Sequence, residues 1–193
     1  MIPLPILATD VGNARVKLGL FREPGEGGLP QPDAVLALDG RRPEWARLAG
    51  WTAELAEPHL HWWIGSVNRL TGTRLLDWLR EHRPADAVTL LATGDLPLEV
   101  RLKRPDMVGI DRLLGAVGAN HLRRPGVPAV VADLGTAITV DAVSADGAFL
   151  GGAILPGIGM SARAMHEFTD LLPLIDMAEL ADPPPALGTS TVE

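Results

Sequence analysis

Short apolar runs alternate with amphipathic stretches along the chain, a pattern that predicts strands interleaved with helices. The apolar run 5–8 meets Asp10, and the pattern resumes from Val16 to Phe21, which predicts a hairpin turning at Asp10-Val11-Gly12-Asn13. Residues 22–32 are dense in Gly and Pro and predict an exposed loop, followed by a strand over 34–38. From Pro43 to Ala56, Trp45, Leu48, Ala49, Thr52 and Leu55 recur at helical spacing. A strand over 61–67, a helix over 71–83 with Leu75, Leu76 and Leu79 on one face, a strand over 88–92 and a helix over 107–122 continue the series. The order implies an α/β sheet.

Pro125-Gly126-Val127-Pro128 marks the expected domain boundary, dividing residues 1–125 from 126–193. Beyond it the opening arrangement returns. The run Ala129-Val130-Val131-Ala132 meets Asp133, a Gly turn follows, and residues 137–143 form a return strand, so Asp133-Leu134-Gly135-Thr136 answers Asp10-Val11-Gly12-Asn13. The segment Gly151 to Met160 is too rich in Gly to be expected as a strong strand and too apolar for an exposed linker. It suggests close backbone approach, with a helix over 161–168 after it pointing its N-terminus at a cleft. A tight structural crossover is the competing reading.

Composition narrows the chemistry. With 193 residues, 47% hydrophobic and 21% charged, the chain is globular in character and long enough for a sizeable core. A formal net charge of -7 offers no basic stripe for a phosphate backbone, so neither nucleic acid nor an anionic membrane is expected as a partner. There is no Cys, which excludes disulfides and thiolate metal sites and fits a reducing compartment. The N-terminal residues lack the basic region and long apolar stretch of a signal peptide, and no run reaches a membrane span, so a cytoplasmic protein is expected. None of the five His has metal-ligand spacing to another, and the five Trp are expected in the core or at an interface rather than as a base-stacking platform.

Small anions must then be held by local geometry. Gly12 lets backbone amides approach a phosphate, Asn13 adds a side-chain donor and Lys17 a mobile charge; an ordinary hairpin turn would use the same residues. In the run Asp133 to Asp141, hydroxyls and carboxylates alternate with apolar positions. There Asp133 could hold a cation and Thr136 could donate to a phosphate, while a polar edge strand is the alternative. Gly109-Ile110-Asp111-Arg112 stands where a loop enters a helix. Asp111 there is either a cap or a general base for an attacking alcohol, and Arg112 either a surface charge or a clamp on an anionic substrate.

Taken in order, these motifs resemble the type III pantothenate kinases, the family that also includes Bvg accessory factor-like proteins. The resemblance rests on Asp10 to Asn13 with Lys17, on Gly109 to Arg112, on Asp133 to Asp141, and on Gly151-Gly152 with Pro156-Gly157. Leu172-Pro173 and Gly188-Thr189-Ser190-Thr191 extend it, and it is weakest from Arg22 to Val100. It implies an actin-like (ribonuclease H-like) ATPase fold, with two related halves around a nucleotide cleft. The implied reaction is ATP-dependent phosphorylation of pantothenate to 4'-phosphopantothenate, the first step of coenzyme A biosynthesis.

By position, the resemblance gives ATP contacts to Asp10, Val11, Gly12, Asn13, Ala14, Arg15, Val16, Lys17, Gly135 and Thr136, with Asp10 near Mg²⁺ through the phosphates. Asp111 would be the general base. Gly109, Ile110, Asp111, Arg112 and Thr191 would bind pantothenate, and Asp133 would hold a monovalent cation, K⁺ or NH₄⁺. A homodimer is implied.

The sequence departs from the family pattern in two places. Leu102 stands near where a Tyr is common, and the chain has no Tyr. It also stops at Glu193, where similar proteins continue, so the second half is expected to be incomplete. Two other functions remain open: a non-catalytic, nucleotide-binding accessory-factor-like protein, and a kinase of the same superfold acting on another small acceptor.

Overall fold

The computed structural model describes residues 5–25 and 29–175. Five strands form the first sheet: β1 (Ile6–Val11), β2 (Arg15–Phe21), β3 (Ala34–Asp39), β4 (His61–Ser66) and β5 (Ala87–Leu90), in the spatial order β3-β2-β1-β4-β5. The sheet is mixed, because the β1/β2 and β2/β3 pairs are antiparallel whereas β4 runs parallel to both β1 and β5. A short turn joins β1 to β2, the longer segment 22–33 lies between β2 and β3, and α1 (Trp45–Glu54) and α2 (Arg69–His82) make the crossovers that parallel pairing requires.

Alternation along these strands decides which face is covered. Leu7, Val11, Val16, Leu18, Leu20, Leu36, Leu38, Trp62 and Ile64 are buried together with Leu48 of α1 and with Leu75, Trp78 and Leu79 of α2. No Trp is exposed: Trp62 and Trp78 lie in this core, Trp45 stacks on Trp78 at 6.4 Å between ring centroids, and Trp51 packs alongside. The opposite face carries Ala8 and Asp10 of β1 beside Trp63 and Gly65 of β4.

The third helix, α3 (Ile110–Leu122), packs on that opposite face, where Ile110 and Leu114 lie over Gly65. Leu113 and Ala116 of α3 join Val143 and Phe149 in a second, smaller core, flanked by Leu96, Leu98, Val100 and Leu102. A further sheet has the order β6-β7-β8, from β6 (Ala129–Leu134), β7 (Ala137–Val143) and β8 (Phe149–Pro156), and α4 (Ile158–Glu167) follows it.

The chain divides into two compact units, Met1–Val131 with Asp141–Gly151 and Ala132–Val140 with Gly152–Glu193. Most expected elements are present within a few residues of their expected bounds. One is corrected: the Gly-rich segment after 149 forms β8, an eight-residue strand. Gly151 adopts φ +95°, a conformation open to glycine at little cost, so the residue that argued against a strand lets this one pass close to Leu102.

Candidate functional site

The expected anion turn joins β1 to β2, but it is tighter than the sequence suggested, since Asp10 and Val11 still belong to the strand. The Gly12 amide donates to the Arg15 carbonyl at 3.0 Å, which closes the turn and spends that amide. Among the described residues the amides of Asn13 and Ala14 donate to no protein acceptor, and both residues are exposed. Arg15 and Lys17 are exposed beside them, and Lys17 Nζ sits 3.3 Å from Asp10 Oδ2. With both side chains about half exposed, that ion pair contributes about 1 kcal/mol or less and leaves both groups accessible.

Three residues that the sequence reading passed over hold this turn in place. The Gly40 amide donates to the Ala14 carbonyl at 2.9 Å, and the Gly40 carbonyl accepts from the buried Thr71 hydroxyl at 2.7 Å. Asn68 caps α2 by accepting from the Thr71 amide and also reaches the Gly12 carbonyl at 3.5 Å. The available signal was Asn68 three residues ahead of Thr71 at a helix start.

The Gly109 to Arg112 segment opens α3, with Gly109 in the cap position and Val67 against it. Asp10 pairs in register with Gly65 of β4, and Gly65 is where Ile110 and Leu114 of α3 pack. The first turn of α3 and Asp10 therefore share one face of the sheet. Asp111 is exposed, and one of its oxygens accepts from the Arg112 amide at 2.8 Å. Arg112 turns inward instead. Its Nε lies 3.1 Å from each oxygen of Asp141, its Nη2 donates to the same carboxylate, and its guanidinium centre lies 5.6 Å from the Phe149 ring centroid. The hydrogen bonds to Asp141 raise the Arg112 pKa above its usual value against the opposing effect of burial.

Asp133, Gly135 and Thr136 belong to the second unit and are all exposed, at the end of β6 and in the turn to β7. The Gly135 amide closes that turn onto the Ala137 carbonyl at 3.0 Å, as the Gly12 amide closes the first. The Gly157 amide, at the start of α4, donates to the Thr136 carbonyl at 3.0 Å. A Cβ on Gly157 would stand 2.3 Å from the Gly135 carbonyl oxygen, so only glycine fits under the turn. Thr191 lies outside the described residues.

Among the described residues no three His, Cys, Asp or Glu side chains gather into a group able to hold a metal ion. A divalent cation would therefore need phosphate oxygens and water for most of its shell, the ordinary habit of Mg²⁺, and the half-exposed Asp10 suits that partial role. Asp133 offers one exposed carboxylate for a monovalent cation. No described helix is long and apolar enough to cross a membrane.

A family model described as type III pantothenate kinase matches residues 6–193. The chain is 38% identical over 208 residues to a type III pantothenate kinase of Rubrobacter xylanophilus, covering 96% of this chain and 70% of that protein. It is 35% identical over 204 residues to one of Saccharopolyspora erythraea, covering 97% of this chain and 72% of that protein. The match to one of Rhodopirellula baltica is 43% identical over 116 residues and covers 60% of this chain and 42% of that protein. The chain thus spans between about two fifths and seven tenths of the length of these relatives.

Proposed function

This chain belongs to the type III pantothenate kinase family, and from that premise we propose that it transfers the γ-phosphoryl group of ATP to pantothenate, giving 4'-phosphopantothenate at the first step of coenzyme A biosynthesis. The observation that carries the reading is the placement of the exposed Asp111 carboxylate in the first turn of α3, packed on the sheet face that also bears Asp10.

In this reading Asp111 takes the proton of the primary hydroxyl of pantothenate as that oxygen bonds to the γ-phosphorus and the bond to ADP breaks. Arg15, Lys17 and the amides of Asn13 and Ala14 hold phosphate oxygens, and the network through Gly40, Asn68 and Thr71 keeps their turn in shape. Gly135 and Thr136 also contact ATP in this reading, and the fold is of the actin-like ATPase kind. Mg²⁺ near Asp10 would neutralise charge on the phosphates, and a monovalent cation would sit at Asp133. Arg112 receives the carboxylate of pantothenate, with Gly109, Ile110 and Thr191 completing its pocket. Leu102, near the place where the family resemblance leads one to expect a Tyr, packs against Gly151 and the smaller core. A homodimer in the cytoplasm completes the proposal.

The test is release of ADP measured with and without pantothenate, on protein expressed from the complete open reading frame. Turnover should require pantothenate, and Asp111→Asn should lower kcat by about 10²-fold or more with the KM for ATP little changed. Full activity of the Asn variant would remove Asp111 from the role of base. Nucleotide binding without turnover would favour the accessory-factor reading instead.

A further inference from the structure

We propose that Asp141 is the positioning residue that fits Arg112 to a carboxylated acceptor. Asp141 is 1% exposed, and it meets Arg112 on one edge of the guanidinium only, through Nε and Nη2. A guanidinium carries five N–H donors, two of which this edge consumes. The Nη1 group makes no hydrogen bond among the described residues, and Nη2 keeps a second N–H, so the outer Nη1/Nη2 edge remains for a second planar anion. The Phe149 ring, fully buried, lies 5.6 Å from the guanidinium centre and limits rotation out of this plane.

The arrangement has a consequence that charge alone does not. Because Asp141 already neutralises Arg112, the pair has little net attraction for an anion, and selection depends on the direction in which the free edge faces. An Arg112 that acted only as a positive charge would bind a carboxylate more tightly once Asp141 was made neutral. A positioned Arg112 would bind it less tightly. The inference rests on the proposed pantothenate reaction, and it adds the residue that makes the acceptor's carboxylate count.

The experiment compares pantothenate with its alcohol analogue, in which CH₂OH replaces the carboxylate, for the wild type and for Asp141→Asn and Asp141→Glu. Asp141→Asn should raise the KM for pantothenate by about tenfold or more, leave kcat and the KM for ATP little changed, and leave the KM for the alcohol nearly unmoved. Asp141→Glu keeps the charge but shifts the guanidinium, and it should show the same selective loss while folded by circular dichroism. If Asp141→Asn fails to fold, the Glu variant alone decides. Equal loss on both acceptors, or a lower KM for pantothenate, overturns the positioning role. Absence of wild-type turnover on pantothenate would instead defeat the proposed reaction.

Discussion

Asp86 shows how one buried carboxylate can organise a sheet edge. Its side chain is 1% exposed, and it accepts from the Arg83 guanidinium, from Trp62 Nε1 at 2.8 Å and from the Leu60 amide at 3.1 Å, so it ties the end of α2 to the entry of β4. Burial alone would raise its pKa, but the bonds from Arg83, Trp62 and Leu60 outweigh it and hold the value below the usual 3.8. A depressed carboxylate stabilises the fold above its unfolded pKa and loses that contribution as pH falls through the lowered folded value. Asp86→Asn should therefore cost about 2 kcal/mol at pH 7, with the gap to wild type shrinking below about pH 4. Urea denaturation at both pH values checks this, and a gap undiminished in acid would contradict it. The sequence marked Trp62 for the core but gave no sign that Asp86 would be its partner, because the two meet only when β4 and β5 pair.

At the scale of elements, the β6–β7 turn and the start of α4 depend on each other. Gly157 donates to the Thr136 carbonyl, and no side chain fits between it and the turn. Gly157→Ala should push the turn away and destabilise the second unit by on the order of 3 kcal/mol. If the turn carries nucleotide, the substitution should also raise the KM for ATP more than that for pantothenate. Unchanged kinetics in a well-folded variant would take residues 135 and 136 out of the nucleotide site. Helix periodicity and strand alternation located nearly every element. The exception was β8, since glycine content argues against a strand in isolation, and only the left-handed φ of +95° at Gly151, with Leu102 close by, shows why glycine is needed there.

Across the whole molecule, burial is unevenly spread. Strands β1, β2 and β4 each bury alternate residues under α1 and α2, while among the described residues β8 buries only Phe149 and leaves Ile154 63% and Leu155 46% exposed. Local opening follows the density of buried apolar contact. Hydrogen exchange should therefore find the amides of β1 and β4 the slowest in the chain, and those of residues 152–156 faster by about 10²-fold or more. Protection of residues 152–156 equal to that of β4 would mean that the exposed apolar side chains are covered in solution.

The amino-acid sequence by itself determined all the helices and strands but β8, the two Asp-x-Gly turns, the Gly-Ile-Asp-Arg helix start and the family to which they belong, because periodicity and short motifs are local properties of a chain. The tertiary structure alone decided which partners those groups meet. Asp141 lies 29 residues from Arg112, and Thr71 lies 31 from Gly40. Pairings at such separations arise only when strands and helices pack, since the hydrogen bonds that join them require distances and directions that no local pattern specifies.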